Sequence, residues 1–208
     1  MTTTAPTIRL EAPADHRAAE SLTREAFWNV YRPGCVEHYI LHTCRNRDDF
    51  VPELDLVMEL DGRIIGHIMY VRAAIDADDG RRIPIMTFGP VSIAPDCRRR
   101  GHGRALVEFS MRRAAELGAG ALCIEGDIGF YGKCGFVVAS TRGIRLHGGP
   151  ATGEAPHFLL KELNEGFLDG ITGTYRTPEG YLVDARDVDA FDAGFPARGK
   201  AVLPGQLA

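Results

Sequence analysis

No apolar run in this sequence approaches the roughly 18 residues needed to cross a bilayer, so no membrane partner is expected. The opening stretch MTTTAPTIRLEAPADH lacks a basic segment followed by an apolar one, and no signal peptide is read there. Positive charge is not in excess either. The 24 Lys and Arg stand against 28 Asp and Glu, for a formal net charge of −4. That balance argues against a nucleic-acid binder that works by neutralising phosphate. The five cysteines (Cys35, Cys44, Cys97, Cys123 and Cys134) are odd in number and form no C-x-x-C pair. Reduced thiols in a cytoplasmic protein are therefore expected, not a disulfide framework. His38 and His42 lie four apart without the glutamate of H-E-x-x-H; they read as surface histidines, and no metal is expected. The acidic series Asp184, Asp187, Asp189 and Asp192 lacks the calcium-loop spacing and reads as a solvated helix face.

What is present fits a globular chain with a sizeable core: 208 residues, 45% hydrophobic and 25% charged. A strand is expected at residues 7–10, then a helix over 16–28 capped by Asp15, and a second helix over 36–45. Residues 54–60 and 64–75 read as strands joined at Asp61-Gly62, a strong hairpin signal, with a further strand at 83–93. The period then becomes helical, with Ala105, Leu106, Phe109, Met111, Ala114, Ala115 and Leu117 on one side of a helix that stops at Gly118. The apolar run at residues 121–124 is a buried strand, so strand, helix and strand form a right-handed parallel unit. A short helix at 129–133, a strand from Phe136 and another at 158–163 follow, then a hairpin over 175–184 and a helix over 185–191. The expected fold is α/β (α+β): a mixed, mostly antiparallel central sheet flanked by helices, with one parallel strand-helix-strand unit. Residues 1–163 are expected to form the main domain, and residues 164–208 an extension packed on it.

The most informative stretch is Val91-Ser-Ile-Ala-Pro-Asp-Cys-Arg-Arg-Arg-Gly-His-Gly-Arg-Ala-Leu106. A strand ends, and a loop with three arginines and two glycines opens directly into a helix. Glycine permits unusual dihedrals and close approach of a ligand. The first turn of a helix offers N–H groups and the positive dipole end. With Arg98, Arg99, Arg100 and Arg104 added, the segment suits more than one phosphate charge. The G-x-x-x-x-G-K-[ST] loop of nucleoside triphosphatases is absent, and Leu106 occupies the third glycine position of a dinucleotide fingerprint.

Arg98-Arg99-Arg100-Gly101-His102-Gly103 resembles the [Q/R]-x-x-G-x-[G/A] signature of the GNAT superfamily of acyl-CoA N-acyltransferases. Phe130-Tyr131-Gly132-Lys133-Cys134-Gly135-Phe136 resembles that family's F-Y-x-K-x-G-F segment. The resemblance covers residues 7–163. It implies acetyl-CoA as acyl donor, its pyrophosphate on backbone N–H groups of residues 99–104. It further implies a pantetheine arm lying between the parallel strands and bonded like an extra strand to Val91 and Ile93, with Ser92 between them. Arg98, Arg99, Arg100, Gly101, His102, Gly103 and Arg104 are accordingly expected to bind the cofactor.

Acetyl transfer to an amine needs a neutral nucleophile, a stabilised oxyanion and a proton for the departing thiolate. Tyr131 is the expected proton donor, since a phenol stays protonated at neutral pH and can protonate a thiolate; the alternative is a packed aromatic beside Phe130. Glu125, at the end of the apolar strand, is a candidate general base, with Asp127 as competitor; either residue equally suits capping the next helix. Glu59 and His67 are weaker candidates. Cys97 and Cys134 flank the two motifs, but no histidine is tied to them in sequence, and direct transfer is favoured over an acyl-enzyme. The leading reading is an N-acetyltransferase acting on a small-molecule or peptide amine. Competing with it are transfer of another acyl group or to a hydroxyl, and a non-catalytic acyl-CoA sensor. The tail from Glu165 onward is expected to close the domain, cover the site or pair protomers into a homodimer.

Overall fold

A computed structural model describes residues 5–150 and 154–206. Nine strands and five helices run in the order β1 (Thr7–Leu10), α1 (His16–Phe27), α2 (Glu37–Cys44), β2 (Leu56–Leu60), β3 (Arg63–Ala77), β4 (Arg82–Ile93), α3 (His102–Glu116), β5 (Ala121–Glu125), α4 (Ile128–Tyr131), β6 (Val137–Val138), β7 (Ile144–Leu146), β8 (Phe158–Glu162), β9 (Gly173–Tyr175) and α5 (Ala185–Asp192). The sheet order is β1-β2-β3-β4-β5-β8-β6, with β9 paired to β3 and to β7. It is mixed and mostly antiparallel, and helices flank it. The expected parallel pair is β4 with β5, in register at Met86 and Leu122. A second parallel pair, β7 with β9, had no counterpart among the expected elements.

The backbone forms two compact units: Met1–Met69, Pro90–Leu106 and Gly180–Ala208 in the first, Tyr70–Gly89 and Val107–Glu179 in the second. Their boundaries fall within β3, β4, α3 and the 3-10 turn at Glu179–Tyr181. Among the described residues no helix is long and apolar enough to cross a membrane.

In the first unit, Asp61 and Gly62 both take positive φ (50° and 76°), the two-residue turn that matches strand twist. Gly66 of β3 is required by close approach: a Cβ there would stand 2.9 Å from Ile93 Cδ1 and 3.1 Å from Met58 Cβ. Asp15 does not cap α1. Its carboxylate accepts the Ala12 N–H at 2.9 Å and pairs with Arg9 instead, so the preceding turn claims it. The stretch Pro52–Leu54 is a 3-10 turn, so β2 starts two residues later than its apolar pattern.

His38 is buried, contrary to its reading as a surface histidine. It packs between Phe191 and Phe195, with Nε2 3.1 Å from Asp192 Oδ1. Asp192 in turn pairs with Arg24 at 2.5 Å, and Asp184 caps α5 by accepting the Arg186 N–H. The acidic series is therefore partly structural, not one solvated face. Burial holds the His38 imidazole down at about 4, against a reference near 6.5. The unfolded chain takes up that proton first on acidification. Its contribution is thus fully present above about pH 6.5 and fades as pH falls towards about 4, worth about 3 kcal/mol. Urea unfolding across that window is expected to show the loss, and His38→Phe to flatten it.

In the second unit, β5 pairs antiparallel with β8 from Ala121↔Glu162 to Glu125↔Phe158. The four residues of the apolar run, which alternate between the two faces, are all buried, as expected. α3 ends where Gly118 takes φ 88° and the Ala119 N–H bonds back to Ala114. The strand expected from Phe136 shrinks to Val137–Val138, the two residues that pair with β8 before a 3-10 turn at Ala139–Arg142 ends it. The hairpin expected over residues 175–184 does not form. Tyr175 instead ends β9, antiparallel to β3 at Ile75, and a 3-10 turn at Glu179–Tyr181 leads to α5.

Candidate active site

The loop between β4 and α3 lies wholly in the first unit. Its entry is pinned by the Ala94 N–H to Ile65 O bond at 2.8 Å and by a 3-10 turn at Pro95–Cys97. Arg99 (φ 58°) and Gly101 (φ 86°) are both left-handed, a backbone conformation found in anion-binding nests. The Ala105 N–H reaches Gly101 O at 3.0 Å and closes the first turn. The N–H groups of His102 and Gly103 belong to that first turn, where no intrahelical acceptor exists. Arg99, Arg100 and Arg104 are exposed around it, while His102 is half-buried. The arrangement offers an anion directed donors, a helix dipole and three guanidinium groups together.

Two expected ligand residues use their side chains otherwise. Arg98 donates to Ala26 O at 2.7 Å and Ile93 O at 3.2 Å, tying the end of α1 to the end of β4. The buried Ser92 hydroxyl donates to Thr23 Oγ1 at 2.9 Å. The Ser92 hydroxyl and two of the three Arg98 guanidinium nitrogens are thus already engaged within the fold. Val91 and Ile93 are half-buried on the face of β4 opposite Ser92. Asp96, the one acid in the loop, pairs with Arg63 at 2.7 Å, and this partner holds its carboxyl below the usual range.

Tyr131 and Glu125 lie in the second unit. The Tyr131 ring is half-buried, edge-on to Phe130 (4.8 Å between centroids) and Phe136 (5.6 Å), and tilted against Phe88 of β4 (5.8 Å). It also lies against the backbone of Gly126: a Cβ there would stand 2.7 Å from Cδ2 and closer still to Cε2. Glu125 ends β5 with its side chain 44% exposed; Oε1 accepts the Thr177 hydroxyl at 2.9 Å, and Oε2 lies 3.8 Å from His157 Nε2. Its competitors are engaged elsewhere. Asp127 caps α4, accepting the Gly129 N–H at 2.9 Å; Glu59 pairs with Arg9 at 2.9 Å; His67 is buried against Asp55 at 2.8 Å. Cys97 and Cys134 are both buried, and none of the five cysteines forms a disulfide. His157 and Thr177 were not anticipated: each is distant from Glu125 in sequence, and neither belongs to a recognisable motif.

Residues 53–138 match the family described as the acetyltransferase (GNAT) domain. The matched stretch is less than half of the chain. It runs from β2 to β6 and so includes the arginine–glycine loop, Glu125 and Tyr131. Solved GNAT structures share the fold. The GNAT family N-acetyltransferase YhbS of Escherichia coli, in complex with CoA, aligns at TM-score 0.75 and 24% identity, over 88% of this chain and 96% of that one. A GNAT family acetyltransferase of Brucella melitensis, in complex with acetyl-CoA, aligns at TM-score 0.67 and 23% identity, over 85% and 98%. The ribosomal-protein-S18-alanine N-acetyltransferase of Escherichia coli aligns at 0.54 and 18%, over 77% and 95%. At these identities the likeness is one of fold. No curated protein matches the sequence.

Proposed function

We propose that this protein is an acetyltransferase that moves the acetyl group of acetyl-CoA to a primary amine of a small molecule or peptide by direct attack. The observation that carries this reading is the loop at the head of α3, with two left-handed residues, first-turn donors and three exposed arginines within the stretch that matches the GNAT family. Two structural neighbours crystallised with CoA and acetyl-CoA support the choice of donor. In this reading the N–H groups of residues 99–104 hold the pyrophosphate, and the backbone of Val91, Ser92 and Ile93 runs beside the pantetheine. Tyr131 protonates the leaving thiolate, and Glu125 acts on the side from which the amine loses its proton. The buried state of Cys97 and Cys134 favours direct attack over an acyl-enzyme. Five cysteines held as thiols, outside any disulfide, favour the cytoplasm as the working compartment.

The test is thiol release from acetyl-CoA in the presence of a panel of amines, with mass spectrometry of the acceptor. N-acetylated product supports the reading, and folded protein that acetylates none of them contradicts it. Arg100→Glu places a carboxylate where a phosphate oxygen is expected. It should weaken acetyl-CoA binding by about tenfold or more, with a smaller loss at high salt, since exposed charges are screened.

A further inference from the structure

The second unit brings three chemistry-bearing side chains to one residue, Gly126, at the C-terminal end of β5. The Gly126 N–H donates to His157 O at 2.7 Å, which fixes His157 beside the strand end. The Tyr131 ring rests on the Gly126 backbone, where a side chain would displace it. Glu125 precedes Gly126 and meets His157 through one carboxylate oxygen and Thr177 through the other. His157 and Glu125 are 56% and 44% exposed, so a substrate can reach both.

We propose that His157 is the group that takes the proton from the attacking amine, and that Glu125, held by Thr177, is its positioning residue. This assignment rests on the acetyltransferase reading above and refines it. A carboxylate is a weak base for an amine, because carboxylic acids ordinarily titrate near ~4, whereas an imidazole near ~6.5 lies close to the working pH. A carboxylate that faces one imidazole nitrogen fixes the tautomer with its N–H on that side, and it stabilises the imidazolium once formed. Nε2 faces Glu125, which leaves Nδ1 as the acceptor. The 3.8 Å separation is longer than a hydrogen bond, as is common for catalytic pairs before substrate tightens them. The Thr177 hydroxyl holds Glu125 Oε1 from the other side and limits how far the carboxylate can swing.

The step balances as follows. His157 Nδ1 first takes one proton from the alkylammonium, and the lone pair so freed forms the C–N bond to the acetyl carbon. The C–S bond breaks, and the thiolate takes the Tyr131 proton. The second proton on nitrogen passes to the Tyr131 phenolate, directly or through water, and His157 returns its proton to solvent.

The experiment compares alkylamines, protonated at neutral pH, with arylamines such as aniline, which are already neutral and have no ammonium proton to lose before attack. Acetyl-CoA turnover is followed from pH 6 to 9 with benzylamine, lysyl peptides and aniline. For His157→Gln, kcat/KM with the alkylamine should fall about 10²-fold at pH 7, against less than about threefold with aniline. The acid limb of the wild-type profile should disappear, and added imidazole should restore His157→Ala. Thr177→Val and Glu125→Gln should lower the alkylamine rate selectively and by less. Equal losses for both amine classes, or an unchanged pH profile in His157→Gln, overturn the assignment while leaving the acetyltransferase reading intact. Wild-type protein that binds acetyl-CoA but acetylates no amine overturns both.

Discussion

Tyr131→Phe is expected to lower turnover by about 10²-fold while acetyl-CoA binding stays within about twofold, because loss of a positioned general acid costs 10²–10⁴ in rate. The phenyl ring keeps the edge contacts with Phe130 and Phe136 and the tilted contact with Phe88, so the fold is retained. The substitution removes the hydroxyl alone. Gly126→Ala should reproduce much of this loss with Tyr131 intact, since the new methyl group would occupy the space of the ring. The backbone at Gly126 is not left-handed, so alanine meets the ring and not a dihedral barrier. Steady-state kinetics on both variants, with calorimetric acetyl-CoA binding, check the pair. Unchanged turnover in Tyr131→Phe across pH would remove the general-acid assignment.

Arg45→Met is expected to destabilise the first unit by about 3–5 kcal/mol, the cost of stranding buried charge when one partner of a buried ion pair is removed. Arg45 spans Glu11 with two 2.9 Å contacts, reaches Glu20 at 2.8 Å, and lies 3.7 Å from Asp55, all nearly buried. Methionine fills the volume but returns none of the charge. The loss should grow with pH. Burial and the adjacent Asp55 carboxyl push Glu11 up, so its folded form keeps a proton that the unfolded chain releases. That contribution is complete below the ordinary carboxylate range and declines as pH rises. Burial also pushes Asp55 up, but the bonds to His67 and Glu11 and the nearby Arg45 outweigh it and leave its carboxyl low. Urea denaturation at pH 6 and pH 9 tests both the size and the slope, and Glu11→Gln should reduce the decline at high pH.

Much of this architecture was legible because strong local signals agreed with the tertiary result. Asp61-Gly62 dictates a two-residue turn, and the order of apolar strand, arginine–glycine loop and amphipathic helix in the sequence is the order of β4, the loop and α3. What stayed hidden was non-local. β9 is three residues, Gly173-Thr174-Tyr175, too short to show a period. Its glycine is there because a Cβ would stand 2.9 Å from Ala77 Cα and 2.8 Å from Ile75 Cγ2, facts of pairing with β3. Asp15 has the composition of a helix cap, but Arg9 competes for it. His38 sits on a helix whose mixed pattern does not reveal that Phe191 and Phe195 will cover it. At the candidate site, Tyr131 and Glu125 were visible from a motif and a strand end. His157 and Thr177 were not, because only the β5–β8 register and the chain after β9 bring them to Glu125.

The measurement that tests the central claim most directly is calorimetric titration of the folded protein with acetyl-CoA and with desulfo-CoA, for the wild type and Arg100→Glu. The account predicts binding of both ligands by the wild type in the range of about 1–100 µM, weakened about tenfold or more in the variant. Absence of binding to folded wild-type protein would contradict it, and the arginine–glycine loop would then serve some other anion.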